Sequence, residues 1–362
     1  PFPIPPSAPA SPAPTSSRTL QPSLEAVPGT PTCAFPLTSP QLRGGGERKR
    51  VMAEYAGELF VCGQNREGQL GLNHNEDVLY FTPCTSLSSM PVTRVACGWD
   101  FTIILTGNGQ VLSCGSNSFG QLGIPQASGG CTVPQKIEFF KEKVVNVAAG
   151  LRHALAATES GLVFQWGTGM MSRAKRACQG KTIPSFLMAK EPSGVTGLEN
   201  IKVKKVTANS YHSVSLTDNG ELHVWGCNKH GQLLNKEIFL SEPQKIEANF
   251  FFGEKIEKVW SGWTHMVAQT ETSKVFTWGR ADYGQLGRNV MVQGGQSQEV
   301  QRSSEQSLKQ LPNIPTSVPC LTGASEVRKH ARLSFWLWHR DGTCGPGPFS
   351  VCFDTVDHEM LR

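Results

Sequence analysis

Three histidines stand at matching places in this chain. His153, His212 and His265 are 59 and 53 residues apart. Imidazole is both a metal ligand and a base near neutral pH, so three of them invite a metal hypothesis. Their spacing speaks against it. Steps of this length place one ring in each of three successive copies of a unit, where each serves its own copy. The expectation is a packing role, with each ring tying the turn of its own unit to backbone. A fourth equivalent position holds Phe101, which packing tolerates and a metal site does not. No metal is expected. The chain also carries no phosphate-cradling G-x-x-x-x-G-K-[ST] run, no G-x-S-x-G and no H-E-x-x-H. No residue is assigned a catalytic role, and no cofactor is implied.

Other side chains suit contact rather than catalysis. Asp100 is the third residue of Gly98-Trp99-Asp100-Phe101, and the equivalent positions hold Arg152, Tyr211 and Thr264. Asp favours turns, so Asp100 is either a local acceptor or a contact residue. After Trp166-Gly167 runs Thr168-Gly169-Met170-Met171-Ser172-Arg173-Ala174-Lys175-Arg176-Ala177-Cys178, then a stretch to Pro192. Arg173, Lys175, Arg176 and Lys181 make it basic. A longer loop on a rigid scaffold is where binding residues collect, and residues 168–190 are read as such a contact loop, with a drifted, solvated loop as the alternative. Trp99 and Trp263 have two open fates: exposed interface anchors, or rings buried between units.

The elements that position these residues are written as a repeat. Cys62-Gly63, Cys114-Gly115, Trp166-Gly167, Trp225-Gly226 and Trp278-Gly279 each close an alternating apolar run, and their glycines step by 52, 52, 59 and 53 residues. Seventeen residues before each of the last four lies a second anchor: Gly98, Gly150, Asn209 and Gly262. A constant core with variable connections is one structural unit, copied and stacked. Within a unit, Ser213–Leu216 alternates as a half-buried strand, Asp218-Asn219-Gly220 suits a tight hairpin, and Glu221–Trp225 returns. Gly68-Gln69-Leu70-Gly71, Gly120-Gln121-Leu122-Gly123 and Gly284-Gln285-Leu286-Gly287 repeat a later turn. Pro134-Gln135-Lys136-Ile137 and Pro243-Gln244-Lys245-Ile246 open a further strand, where proline costs no ladder donor. Each unit yields about four short strands, the content of a propeller blade. Trp166, Trp225 and Trp278 are sized to fill the wedge between blades. No amphipathic helix of useful length is expected.

Composition bounds the rest. The chain has 362 residues and a net charge of +5, too weak to imply nucleic acid without a clustered patch. Eleven cysteines form no C-x-x-C pair and read as reduced thiols. No run is apolar enough to span a membrane. The chain opens on Pro1 rather than Met, as a fragment or processed product does. Residues 1–50 are Pro-rich and expected to be disordered. They end on Arg48-Lys49-Arg50, either a solvated charge cluster or a localisation signal. Residues 51–290 hold the repeats, 291–320 read as an irregular linker or loop, and 321–362 as a degenerate repeat and tail.

The string Cys114-Gly115-Ser116-Asn117-Ser118-Phe119-Gly120-Gln121-Leu122-Gly123, with its counterpart from Cys62 to Gly71, resembles the repeat of the regulator-of-chromosome-condensation (RCC1-like) family. The resemblance covers about residues 51–290. It implies an all-β, seven-bladed β-propeller acting as a guanine nucleotide exchange factor for a small GTPase. Val95–Thr102, Trp260–His265 and Thr277–Gly284 extend the likeness toward a member that regulates secretion. Five units are clear. A sixth is degenerate at Trp336–Gly345, with Leu337 where glycine belongs, which leaves an open arc or a smaller ring as alternatives to seven blades. In the family, acids in the loop of Asp100 lie on the face that meets the GTPase. By that match Asp100 is a GTPase-contact candidate, joined by Arg152, Arg173, Lys175 and Arg176. The implied partners are a small GTPase and secretory proteins, and the expected compartments are the cytoplasm and the nucleus. The rival reading is a propeller scaffold for protein interaction without exchange activity.

Overall fold

The computed structural model describes residues 33–37, 58–288 and 312–319. They form five antiparallel sheets in chain order. The first holds β1 (Cys33–Leu37), β2 (Glu58–Gly63) and β3 (Val78–Pro83). The second holds β4 (Val92–Cys97), β5 (Phe101–Thr106), β6 (Val111–Gly115) and β7 (Cys131–Lys136). The third holds β8 (Val144–Ala149), β9 (Ala154–Thr158), β10 (Val163–Trp166) and β11 (Ser193–Gly194). The fourth holds β12 (Val203–Asn209), β13 (His212–Thr217), β14 (Leu222–Cys227) and β15 (Phe239–Lys245). The fifth holds β16 (Ile256–Ser261), β17 (His265–Thr270), β18 (Val275–Gly279) and β19 (Thr316–Ser317). Each sheet pairs consecutive strands, as a propeller blade does.

The core lies between sheets. Leu59, Val61, Ile104 and Leu112 fill the first junction, Ile103, Leu122, Val147 and Trp166 the second, and Val206, Val224, Trp225, Met266 and Trp278 belong to the layer running on through the third and fourth. Strands β5, β13 and β17 are buried at every residue, and each is an interior strand paired on both sides within its sheet. The expected wedge tryptophans are where the repeat places them. Trp166 and Trp278 are wholly buried, and each donates its Nε1 proton at 2.9 Å to a backbone oxygen of the preceding blade's turn, that of Gln121 and Gln232 respectively. Cys114, at the equivalent place, directs its thiol at the oxygen of Gln69, 3.4 Å away.

The G-x-N-x-x-G-Q-L-G string is a turn that templates itself. The Asn Oδ1 accepts from the Leu amide five residues on, in Asn65, Asn117 and Asn228. The Gln Oε1 accepts from the amide two residues before it, in Gln69, Gln121, Gln232 and Gln285. Side chains thus satisfy donors that a compact turn would otherwise strand. The last glycine needs positive φ. In the fourth unit Leu234 stands there instead, at φ 54°.

Three boundaries differ from those expected. Cys33–Leu37, inside the segment read as disordered, pairs with β2 in the register Cys33↔Cys62 to Leu37↔Glu58. This is an end strand of its sheet, where Pro36 is tolerated. Residues 316–317, inside the segment read as a linker, are β19 and complete the fifth sheet. The signal was there. Pro315-Thr316-Ser317-Val318 repeats the Pro-x-x-apolar string of the other outer strands, where Pro134 and Pro243 lie within β7 and β15 rather than opening them as expected, and the Val318 amide donates to the Val275 oxygen at 2.8 Å as Ile246 does to Leu222. Finally, the loop after Trp166 contains a helix, α1 (Met171–Ala177). The degenerate copy at Trp336–Gly345 and the remaining ends lie outside the described residues.

Candidate partner-binding face

Four equivalent loops join the first and second strands of sheets two to five: Gly98–Asp100, Gly150–Arg152, Ser210–Tyr211 and Gly262–Thr264. They are stitched into one surface. The Trp99 amide donates to the Leu151 oxygen at 3.2 Å, the Leu151 amide to the Ser210 oxygen at 2.8 Å, and Asn209 Nδ2 to the Ser261 oxygen at 3.3 Å. Rigid backbone here means that side chains on this face are presented in fixed positions.

The anchors Gly98, Gly150 and Gly262 leave room for a ring. A Cβ on Gly150 would lie 1.9 Å from His153 Cε1, one on Gly262 would lie 2.1 Å from His265 Cε1, and one on Gly98 would lie 1.9 Å from Phe101 Cε1. The three histidine rings are buried and packed, and for His153 and His212 the expected link to the ring's own turn is corrected. His153 Nε2 reaches Ser213 Oγ at 3.1 Å and His212 Nε2 reaches Ser261 Oγ at 2.6 Å, each serine belonging to the next sheet. His153 and His212 therefore tie blade to blade. Ser213 donates onward to Gln165 Oε1 at 3.2 Å, which leaves its oxygen to accept from His153 Nε2–H. A Ser–His pair is also the geometry of an activated nucleophile. Here burial holds His153 down to about 4, His212 to about 3 and His265 to about 4, so the rings are neutral at physiological pH. Both Ser–His pairs are buried between sheets.

The contact candidates divide into three places. Asp100 and Arg152 lie at the junction of sheets two and three. Asp100 is half-buried, and Gln121 Nε2 donates to its Oδ1 at 3.1 Å. Desolvation pushes its carboxyl up. Gln121 and the positive charge of Arg152 oppose that, while Glu67 adds to it. The Arg152 guanidinium lies 4.3 Å from the centroid of the Phe119 ring. Arg173 sits at the next junction, 3.9 Å from the centroid of the Tyr211 ring. Lys175 and Arg176 stand exposed on the outer side of α1.

Residues 168–190 are not a free loop. Met170, Ala174, Cys178, Phe186 and Leu187 are buried in the core shared with sheet four. The inserted helix replaces the G-Q-L-G turn, so no turn carbonyl is available to the next tryptophan. Gln165 substitutes: its Oε1 accepts from Trp225 Nε1 at 2.7 Å.

Sequence reasoning missed the partners of these cations. Phe119 stands next to the first glycine of its turn, where Glu67, His230 and Tyr283 stand in other units. That alignment marks the position facing the next blade's loop. It also missed that Trp99 and Trp263, from sheets two and five, meet with ring centroids 6.1 Å apart and an interplanar angle of 56°. Burial between neighbouring blades is not the fate of Trp99, which is 48% exposed.

Stacked four-stranded sheets with glycine-anchored loops and wedge tryptophans define a β-propeller of RCC1-type repeats. A sequence model of the RCC1-like domain matches residues 22–348, and the chain belongs to that family. The chain is 58% identical over 316 residues to the secretion-regulating guanine nucleotide exchange factor of Bos taurus, across 85% of this chain and 68% of the relative. It is 55% identical over 313 residues to the Mus musculus protein of the same name, across 84% and 67%. Among solved structures, Prp20p from Saccharomyces cerevisiae is similar with a TM-score of 0.56 and 23% identity, across 72% of this chain and 59% of that one. That last likeness shows the fold alone.

Proposed function

We propose that this chain is a guanine nucleotide exchange factor for a small GTPase, acting in the regulation of secretion. The observation that carries the reading is 58% identity, across 85% of the chain, to a relative named for that activity. Exchange requires no bond chemistry from the factor. The GTPase holds its nucleotide through its own phosphate loop and magnesium. A factor speeds release by binding the nucleotide-free form better than the loaded one, and ~1.4 kcal/mol of preference shifts that equilibrium tenfold.

The loop face supplies the surface for this preference in our reading. Asp100 and Arg152 form one contact point, and Arg173 with Lys175 and Arg176 on α1 forms a second. Because the insert is packed into the body, it acts as a fixed ridge rather than a mobile probe. We also assign the activity to the cytoplasm, with a nuclear share, and secretory proteins as further partners.

The test is to measure affinity for a panel of small GTPases, each stripped of nucleotide with EDTA or loaded with GDP. At least one should bind about tenfold more tightly when stripped. Equal affinity for both forms of every GTPase bound would overturn the exchange reading and leave a binding scaffold.

A further inference from the structure

Three tryptophans of the described residues, Trp166, Trp225 and Trp278, are wholly buried between sheets. Trp99 is built differently. It is 48% exposed and its ring rests against Trp263, which reaches it from a sheet three places further along the chain. We propose that the Trp99–Trp263 pair is the apolar anchor on which the small GTPase docks. This rests on the exchange reading above and adds to it the residue that carries the binding energy.

Exposing an indole to water is unfavourable unless something covers it, because it leaves a large apolar area hydrated. The loops that present the pair are held before any partner arrives. The Gly98 amide donates to the Phe101 oxygen at 2.8 Å, the Trp99 amide to Leu151, and the Gly262 amide to the His265 oxygen at 2.9 Å. Little ordering is left to oppose binding.

The surroundings say what the partner brings. Arg152 and Arg173 lie on the same stitched face, each stacked on an aromatic ring that holds its guanidinium in place. Arg176 and Lys175 extend the charge outward along α1. Asp100, next to Trp99, is the one carboxylate among these loops, and its charge is opposed by Arg152. An exposed aromatic pair on a face that carries fixed guanidinium groups suits an interface hot spot, where tryptophan, tyrosine and arginine are enriched. The complementary surface is an apolar side chain flanked by carboxylates, presented by the nucleotide-free GTPase.

The experiment uses the full chain and a panel of purified small GTPases stripped of nucleotide with EDTA. Dissociation constants are measured for the unaltered protein, Trp99→Ala, Trp99→Phe and Tyr80→Ala. Tyr80 is a still more exposed aromatic, on β3, the last strand of the first sheet and outside the four loops. The expected result is at least about tenfold weaker binding for Trp99→Ala, a smaller loss for Trp99→Phe, and none for Tyr80→Ala. Binding should also shield tryptophan fluorescence from acrylamide in the unaltered protein, a readout that needs no substitution. Trp99→Ala binding within twofold of the unaltered protein, with no shielding, would overturn the anchor and leave the exchange reading standing. Failure of the unaltered protein to bind any GTPase would overturn the reading itself, and the anchor with it. Loss of self-association in Trp99→Ala at unchanged GTPase affinity would assign the pair to a second copy of this chain and overturn the proposal.

Discussion

In three of the four loops of the face, two positions are alike from blade to blade and two are not; the fourth, in sheet four, runs Asn209-Ser210-Tyr211-His212 and has asparagine in place of the glycine. The first and fourth are Gly98 and Phe101, Gly150 and His153, and Gly262 and His265, with the ring packed over the glycine each time. The second and third are Trp99 and Asp100, Leu151 and Arg152, Trp263 and Thr264, and all but the buried Thr264 are exposed or half-buried. The fourth-position ring bonds the next sheet in two of the units. The third-position side chains differ in what they meet: Asp100 accepts from Gln121 of its own sheet's turn, and Arg152 stacks on Phe119 of the preceding one. Repetition here belongs to the frame and variety to the face. A propeller can therefore acquire a partner by changing two residues in each loop without touching what holds its blades together.

The largest expected effect on the frame is acid sensitivity. The ordinary imidazole pKa near 6.5 is held down to about 4 in His153 and His265 and about 3 in His212 by burial. Above pH 6.5 the rings are neutral folded or unfolded, and they cost nothing. As pH falls from 6.5 toward 4 the unfolded chain takes up protons that the folded one refuses, so stability is lost through that window. At pH 5 the loss is on the order of 1–2 kcal/mol per ring. Melting temperature against pH should drop steeply below 6.5, and replacing His212 should flatten the curve. A flat profile in the unaltered protein would show that these rings are reached by water.

Next in size is Gly150→Ala. Its new Cβ meets His153 at the Cε1 edge and displaces the ring from Ser213, at a cost of roughly 1–3 kcal/mol in chemical denaturation. Smallest is Arg152→Ala. It removes one stacked cation on Phe119 and should change stability by less than about 1 kcal/mol. A larger loss from Arg152 than from Gly150 would dissolve the distinction between frame and face.

The blade order was legible because glycine and tryptophan mark places where backbones approach and wedges are filled. What the sequence hid were the parts that depend on residues far away. Thr316–Ser317 was obscured because 36 residues separate Gly279 from Pro315, where 17 separate Gly226 from Pro243. Helix α1 is too short for periodicity to assert itself, although Met170, Ala174 and Cys178 sit four apart and are all buried. The serines that receive His153 and His212 lie at non-equivalent places in their own sheets, Ser213 beginning the run after His212 and Ser261 closing β16. No repeat alignment would pair them. The candidate contacts were legible as charged positions, but the aromatic rings beneath Arg152 and Arg173 come from neighbouring units and needed the fold.

The release of a fluorescent GDP analogue from a panel of small GTPases tests the whole account most directly. The full chain should accelerate release from at least one of them, and the double change Arg152→Ala with Arg173→Ala should remove most of that acceleration at an unchanged melting temperature. A folded, cooperatively melting protein that leaves every GTPase at its intrinsic rate would contradict it.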